Sequence, residues 1–259
     1  MNEVARRSKQ IWIAISFFLI IGSIGFGIYR SFTPTPPSPT PNPTINLAPL
    51  RVVSTKLFNV QNNDYDFLAK VANPNADYGS GNAEYVLTFY NASGQQVSSK
   101  TGSFYILPGQ TKYVINSPLR FEQSISRADF KIESVDWQKL NSFAASGVSL
   151  VIKSASYVRL NQMGTFAKAG GEIFNNSDFD LNKVDIFLVL LDQTETPMAV
   201  NKTEIRTFLA RTTRGFEVTW FAPFVGEINR VNAEANANVF ENSNFLRTYG
   251  GQEKFKQLY

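Results

Sequence analysis

The pattern of hydrophobic residues differs from one segment of this chain to the next, and the first segment is an uninterrupted apolar run. The run IWIAISFFLIIGSIGFGIY spans residues 11–29 without one charged side chain. At a rise of about 1.5 Å per residue, a helix of this length would measure about 28 Å, close to the ~30 Å hydrocarbon core of a bilayer. The run therefore predicts a transmembrane helix over residues 11–29.

The charges that flank the apolar run predict its orientation. Arg6, Arg7 and Lys9 precede it, whereas only Arg30 follows closely. Because basic residues are retained on the cytoplasmic side, we predict a cytoplasmic N-terminus over residues 1–10 and an extracytoplasmic remainder. A cleaved signal peptide is the alternative, but its apolar region is shorter, about 7 to 15 residues, and ends at a small-residue cleavage site. The long run, which ends in GFGIYRSF, favours a retained anchor.

Proline dominates the next segment, which we assign to a stalk over residues 30–50. Seven prolines lie between positions 31 and 49. Proline blocks helices and sheet ladders and favours the extended polyproline II conformation. At ~3.1 Å per residue, about 17 such residues would reach roughly 50 Å. We expect a semi-rigid spacer, and a linker with no required length is the alternative.

Beyond residue 50 the hydrophobic pattern has a period of two. Short segments rich in β-branched and aromatic residues are separated by Asn, Gly, Asp, Pro and Ser: YVLTFY, KYVIN, FKIESV, VDIFLVLL and FEVTWF. Strands at this spacing are typical of antiparallel sandwiches. A weak internal repeat with a spacing of about 102 residues aligns segment 70–95 with segment 172–196, which indicates two copies of one domain.

The complete fold prediction is all-β, with one N-terminal transmembrane helix. It comprises two tandem immunoglobulin-like antiparallel β-sandwiches, domain 1 over residues 51–140 and domain 2 over residues 141–240. The last segment, residues 241–259, has a Gly-Gly break and mixed charge, and we assign it to a C-terminal tail. Such tails fray more often than they fold, and a short partner-binding peptide is the alternative.

The two copies share short motifs. Each has a strand ending in Asn, an Asn/Asp/Ser loop, and a strand that ends L-x-F-Y-N (87–91) or L-x-L-L-D (188–192). The first copy continues to L-P-G-Q-T (107–111), whereas the second has Ala210-Arg211 in place of the Pro-Gly turn. This pattern resembles FxLYD-type domains, immunoglobulin-like modules of bacterial extracytoplasmic proteins. The resemblance implies a non-catalytic module that often follows an N-terminal anchor.

Composition excludes several kinds of site. The chain has no Cys and no His, which excludes disulfides, thiol nucleophiles, Ser-His-Asp hydrolases and zinc or haem sites with His or Cys ligands. The net charge of +4 is concentrated at the N-terminus, since residues 31–259 carry 21 basic and 20 acidic side chains. No basic face for nucleic acid is implied. We expect a protein that is not an enzyme and has no cofactor or metal.

Other candidate residues have simpler explanations. Asp178, Asp180 and Asn182 alternate as in a calcium loop, but the loop lacks the Gly and Glu that such a site needs, and turn capping explains them. Asp129 and Asp185 are acids in apolar surroundings, without an assignable partner.

Two tryptophans suggest a different class of function. Trp137 and Trp220, with ten tyrosines, could form a sugar-stacking platform, which makes a binding module for envelope glycan the alternative function. Against it, Phe216, Val218 and Trp220 alternate along one strand, as the core face of a sheet does.

One apolar face has no evident internal role. In the second copy Phe187, Val189 and Leu191 lie opposite the core face, although an antiparallel sandwich needs only one buried face. Domain 1, the C-terminal tail or a partner must cover them. We take these three residues as the candidate contact with a protein partner, and we expect a surface protein that acts in cell-envelope structure or assembly through protein–protein contact.

If residues 1–10 are cytoplasmic, protease added to intact, wall-stripped cells should digest the chain beyond about residue 30. Immunoblotting with a tag at each terminus measures the result, and permeabilised cells provide the control. Protection of the C-terminal tag in intact cells would contradict the orientation.

Overall fold

A computed structural model describes most of the chain. The residues that it describes are 3–32, 47–143, 148–162 and 164–259. They belong to two compact units, Met1–Asn46 and Leu47–Tyr259. We call Leu47–Tyr259 the β unit. Most of the stalk predicted at residues 30–50 lies outside the described residues.

The first unit contains helix α1 (Glu3–Phe32), which includes the whole span predicted at residues 11–29. Its stretch Ile11–Arg30 is long and apolar enough to cross a membrane, and none of it is buried within the structure. Ser16 and Ser23 each donate their hydroxyl to a helix carbonyl of the preceding turn, at 2.9 and 2.8 Å, so these groups need no partner outside the helix. A membrane anchor and a signal sequence both have these properties.

The β unit consists mainly of strands. In chain order these are β1 (Arg51–Gln61), β2 (Asp64–Ala72), β3 (Tyr78–Tyr90), β4 (Gln96–Ile106), β5 (Thr111–Arg120), β6 (Arg127–Leu140), β7 (Leu150–Gln162), β8 (Thr165–Asn175), β9 (Leu181–Leu191), β10 (Pro197–Phe208), β11 (Thr213–Trp220), β12 (Arg230–Asn236) and β13 (Gly250–Leu258). A short 3-10 helix (Val239–Glu241) and helix α2 (Ser243–Tyr249) lie between β12 and β13.

The strands form antiparallel sheets that pair into two sandwiches. The first sandwich combines the sheet β1–β2–β5 with the sheet β4–β3–β6–β13, and the second combines β10–β9–β12 with β11–β8–β7. Each sandwich has its own apolar core, built from the inner faces of both its sheets. The predicted all-β fold with tandem sandwiches is confirmed.

The alternation of apolar residues identified the buried face of the central strands. On β3, Tyr85, Leu87 and Phe89 lie in the first core, while Glu84 is exposed. The predicted core-facing residues of β9 are completely buried in the second core: Val184, Ile186, Leu188 and Leu190. The predicted core face of β11 is buried as well: Phe216, Val218 and Trp220.

A buried asparagine fixes the same loop in both sandwiches. Asn73 Nδ2 donates to the carbonyls of Tyr78 and Leu107 at 2.7 and 2.8 Å. At the matching position, Asn175 Nδ2 donates to the carbonyl of Phe179 at 2.9 Å. Such a polar side chain can be buried because it is hydrogen-bonded. The asparagine shared by the two sequence copies is therefore structural.

The turn between β10 and β11 has no Pro-Gly pair, and Arg211 adopts the conformation that glycine has in the first copy. Gly109, between β4 and β5, has a φ of +64°, and Arg211 at the matching position has a φ of +58°. A non-glycine residue in this region costs about 1 to 2 kcal/mol. The Arg211 guanidinium donates to Asp178 Oδ1 at 2.9 Å and to Asn176 Oδ1 at 2.6 Å, which helps to hold the turn.

The C-terminal segment folds onto the first sandwich, so the expectation that residues 241–259 fray as a separate tail is wrong. Strand β13 pairs with β6 and completes a four-stranded sheet. Its alternation places Phe255 beside Tyr78, with ring centroids 6.1 Å apart, and Gln257 Oε1 accepts from Trp137 Nε1 at 2.8 Å. The first sandwich therefore contains both ends of the β unit.

Replacing Gln257 with alanine should lower the free energy of unfolding by about 1–3 kcal/mol, because the buried Trp137 Nε1–H loses its acceptor. Thermal melting of the full chain in detergent, followed by tryptophan fluorescence, measures the change. Gln252→Ala, at an exposed position of the same strand, is the matched control and should leave the melt unchanged. Equal melting of Gln257→Ala and the wild type would show that this contact does not stabilise the sandwich.

Candidate functional site

The apolar face assigned to a protein partner lies between the two sandwiches. Val189 has no exposed surface, Leu191 is 4% exposed and Phe187 is half-buried. They form one cluster with residues of β1, β2, β5 and β10: Phe58, Leu68, Tyr113, Ile115 and Val200. The first sandwich therefore covers this face from within the chain. No partner is needed to bury Val189 and Leu191, whereas Phe187 stays half-buried in the lining of the cleft between the sandwiches.

The second sandwich also supplies hydrogen bonds to the free edge of β5. Among the described strands it pairs only with β2, so no described strand bonds to the outward N–H of Tyr113 or the outward carbonyl of Ile115. Glu234 Oε1 accepts from the Tyr113 N–H at 3.2 Å, and Lys202 Nζ donates to the Ile115 carbonyl at 3.3 Å. Two charged side chains thus satisfy an edge that would otherwise be open to other chains.

Lys112 is the most deeply buried charged group among the described residues. Its side chain is 1% exposed, and Nζ donates to the Tyr105 carbonyl at 2.9 Å while lying 3.6 Å from the centroid of the Tyr105 ring. Burial lowers the pKa of Lys112 from its usual 10.5 to about 8, and the charges of Glu234 and Asp185 oppose the shift. No ion pair between described residues includes Lys112.

Two carboxylates flank Lys112 without forming an ion pair with it. Asp185 Oδ2 accepts the Tyr105 hydroxyl at 2.9 Å, and Asp185 Oδ1 pairs with Lys183 Nζ at 3.1 Å. Burial raises the pKa of Tyr105 above its usual range, and the charge of Asp185 adds to the effect. Burial also raises the pKa of Glu234, although the hydrogen bonds that it accepts oppose the shift. Burial thus disfavours the ionised form of both Lys112 and Glu234.

The two sandwiches enclose a cleft of about 590 Å³ beside this group of charges. Residues of β4 and β5 form one wall, and residues of β9 and β10 form the other. Asn116 in the first wall accepts the Tyr85 hydroxyl through Oδ1 at 2.8 Å, but its buried Nδ2 has no hydrogen-bond partner in the described part of the chain. Clefts of this size at domain boundaries are typical places for small-molecule binding.

The sequence analysis missed Lys112 and Asn116, although the pattern contained a signal. Each lies two positions from Val114, which is part of the first core. Because side chains alternate along a strand, all three lie on the inner side of β5. The residues on the opposite face of the strand, Tyr113 and Ile115, contact the second sandwich. A lysine and an asparagine at inward positions beside a buried valine indicate a polar site at the rim of the core.

The acidic candidates from the sequence have structural partners. Asp178 pairs with Arg211, and Asp180 Oδ1 accepts from the backbone N–H of Ala210 at 2.7 Å. Asn182 lies at an exposed position of β9, and within the described part of the chain no cluster of three acidic side chains could hold a metal ion. The loop is held by turn capping. Asp129 pairs with Arg127 at 3.0 Å on the surface, whereas Asp185 lies in the cleft.

The proposed sugar-stacking platform does not exist in this fold. Trp137 is 1% exposed and Trp220 is 7% exposed, and each lies in a different core. Trp220 Nε1 donates to the Val200 carbonyl at 3.1 Å, so its polar atom is also engaged. Neither ring has a free face for a sugar, and the platform interpretation is wrong.

Comparison with known proteins identifies no family for the chain, since neither a family model nor a curated protein matches it. Structural neighbours include two structures of a glycosyl hydrolase family 2 member from Bacteroides cellulosilyticus, one of strain DSM 14838 and one from microfluidic crystals. They share 12% and 11% identity with this chain, each with a TM-score of 0.19. The alignments cover 68% of this chain but only 28% and 27% of theirs, and this degree of likeness carries no argument.

Replacing Val189 with aspartate should lower the free energy of unfolding by about 3 kcal/mol or more, because a carboxylate would be buried without a partner between the sandwiches. Thermal melting of the full chain in detergent measures the loss. Val158→Asp makes the same change at a position that is 53% exposed and should melt like the wild type. An unchanged melt for Val189→Asp would mean that the two sandwiches separate readily.

Proposed function

We propose that the chain is a membrane-anchored, non-catalytic surface protein that acts in cell-envelope structure or assembly through contact with another protein. In this proposal α1 is a retained anchor with a cytoplasmic N-terminus, and the β unit is extracytoplasmic. The basic residues before the apolar run and the length of that run support this topology. The resemblance to FxLYD-type modules supports a non-catalytic extracytoplasmic role.

The observation that carries the proposal is a loop of the second sandwich, residues 221–226, which we call the apolar loop. Phe221 and Val225 are 73% and 91% exposed. Between them, Phe224 turns inward and packs against Phe166, with ring centroids 4.9 Å apart. The loop therefore presents two apolar side chains to solvent while its third is held in the core.

A second contact fixes the far end of the apolar loop. Arg159 Nη2 donates to the carbonyl of Gly226 at 2.8 Å. Because the loop is tied at both places, its backbone would lose little conformational freedom on binding, which favours affinity. Exposed apolar side chains on a held backbone are typical anchors of protein–protein contacts.

Two of the three acidic candidates lie outside the cleft, which supports a non-catalytic role. Glycosidase-type chemistry needs two carboxyl groups that face one substrate. Asp129 and Asp178 instead pair with arginines on the surface, and Asp185 bonds to Tyr105 and Lys183. A chain without Cys or His has few other nucleophiles and bases to offer.

Exchanging Phe221 and Val225 together for serine should abolish capture of a stoichiometric protein partner from cross-linked native membranes. The melting temperature should stay unchanged, because both side chains are already in solvent. Leu209→Ser, at a position that is 50% exposed outside the loop, is the matched control and should retain the partner.

Two results would contradict the proposal in different ways. Equal capture by the double variant would exclude the apolar loop as the contact. Absence of any stoichiometric partner in the wild-type sample would argue against the function itself.

A further inference from the structure

Strand β4 forms one edge of the four-stranded sheet of the first sandwich. It pairs with β3 on one side, and no described strand bonds to its other side. In an antiparallel pair, every second residue directs its backbone N–H and C=O away from the partner strand. The outer side of β4 therefore presents backbone donors and acceptors to which a further strand can bond.

The other described edges of the first sandwich are protected against such pairing. Strand β13, at the opposite edge of the same sheet, carries three charged residues, Glu253, Lys254 and Lys256. Strand β1 has two register shifts, and its Lys56 Nζ donates to the Pro197 carbonyl of the second sandwich. The edge of β5 is bonded by side chains of the second sandwich. Charges, bulges and covering groups are the usual means of blocking a strand edge.

Strand β4 lacks these protections over residues Ser98–Phe104, which we call the β4 edge. Its register with β3 is continuous over this stretch, so no bulge turns it away from a neighbour. The stretch has no proline, and its one charged side chain is Lys100. Lys100 Nζ lies 5.8 Å from the centroid of the Phe121 ring, so this side chain is engaged with its own sandwich. The β4 edge is therefore suited to pairing with a further strand.

The sequence of the β4 edge is complementary to itself in the antiparallel direction. If two copies pair with Thr101 opposite Thr101, the whole stretch overlaps. The opposed pairs then include Ser99 with Ser103 and Lys100 with Gly102. Hydroxyl pairs across two strands are stabilising, whereas like charges directly opposite each other are destabilising. In this register each lysine faces a glycine, and no two lysines face each other.

The two faces of the β4 edge fit the same register. Ser99, Thr101 and Ser103 are exposed, on the face opposite to that of Phe104, which lies in the first core. At Gly102 a Cβ would come within 2.4 Å of the Tyr85 hydroxyl oxygen, so the first sandwich itself requires glycine there. This glycine leaves no side chain opposite the lysine of a second copy.

We propose that the β4 edge is a contact between two copies of this chain, which pair antiparallel about a two-fold axis at Thr101. The two four-stranded sheets would then form one continuous sheet, with a β13 strand at each end. Because both ends carry the charged residues of β13, assembly stops at two copies, as in other closed two-fold dimers. This contact goes beyond the proposed contact with another protein, since the apolar loop belongs to the second sandwich.

Single cysteines test the contact, because the chain contains none of its own. Residues directly opposite each other in an antiparallel pair have Cα atoms about 4.5–5.5 Å apart, which is within the range that a disulfide requires. Under mild oxidation in detergent, full-length Thr101→Cys should form covalent dimers at least about tenfold faster than Gln252→Cys, its control at an exposed position of β13. Non-reducing electrophoresis measures the rate.

Mixed samples test the register. Full-length Ser99→Cys and Ser103→Cys chains, which carry tags of different size, should cross-link to each other. Neither should cross-link to a copy of itself, because equivalent positions would lie about 13 Å apart along the paired strands. Non-reducing electrophoresis separates the mixed dimer from the two homodimers.

A charge at the axis tests the dimer without cross-linking. Light scattering should show that the wild-type chain in detergent is a dimer. Thr101→Glu should be a monomer, because it places two carboxylates opposite each other. Thr55→Glu makes the same change at an exposed position of β1 and should remain a dimer. Both variants should melt like the wild type, since both side chains are in solvent.

Four results would overturn the proposal. The first is a monomeric wild type whose Thr101→Cys variant cross-links no faster than Gln252→Cys. The second is a dimer that Thr101→Glu leaves intact, which would place the contact on another surface. The third is cross-linking of Ser99→Cys to itself as fast as to Ser103→Cys. The fourth is attachment of Thr101→Cys to a different protein by a thiol-to-amine cross-linker in native membranes, which would give the edge another partner.

Discussion

The closure of one strand edge is the constraint on which the rest of the β unit depends. The sheet β1–β2–β5 ends at β5, and an open edge exposes unpaired backbone groups. Glu234 and Lys202 bond to that edge, while Val189 and its neighbours cover the adjacent apolar face. Because both kinds of contact come from the second sandwich, separation of the sandwiches would expose apolar surface and unpaired polar groups together. The cleft beside the edge is therefore a built part of the fold.

The charged groups at this junction contribute specificity more than stability. Burying a lysine without a direct ion pair is unfavourable, and burial lowers the pKa of Lys112 for the same reason. An apolar junction of similar volume would be at least as stable. Directed contacts, however, such as the Tyr105 hydroxyl to Asp185 and the Tyr113 N–H to Glu234, define one register between the sandwiches. A cleft with fixed walls requires such a register.

Local patterns in the sequence predicted the features that depend on neighbouring residues, namely the buried strand faces and the loops. They did not predict contacts between residues far apart in the chain. Alternation identified the buried faces of β3 and β9, and the matched asparagines, Asn73 and Asn175, marked equivalent loops. The same alternation indicated that Val189 must be buried by something. The pattern would be the same, however, whether another domain, the C-terminal tail or a partner buried it. Strand β13 was not predicted because its short alternating stretch forms a strand by pairing with β6, which lies more than a hundred residues earlier in the chain.

The segment after β12 contacts both sandwiches and links them. The strands of the second sandwich are contiguous in the chain, whereas the first sandwich needs β13, which follows them. Phe245 of α2 is completely buried, lies in one cluster with Leu140 of the first sandwich, and packs on Phe179 of the second with ring centroids 5.4 Å apart. Helix α2 can dock in this way only when both sandwiches are in place. Helix α2 therefore couples the packing of the first sandwich to that of the second.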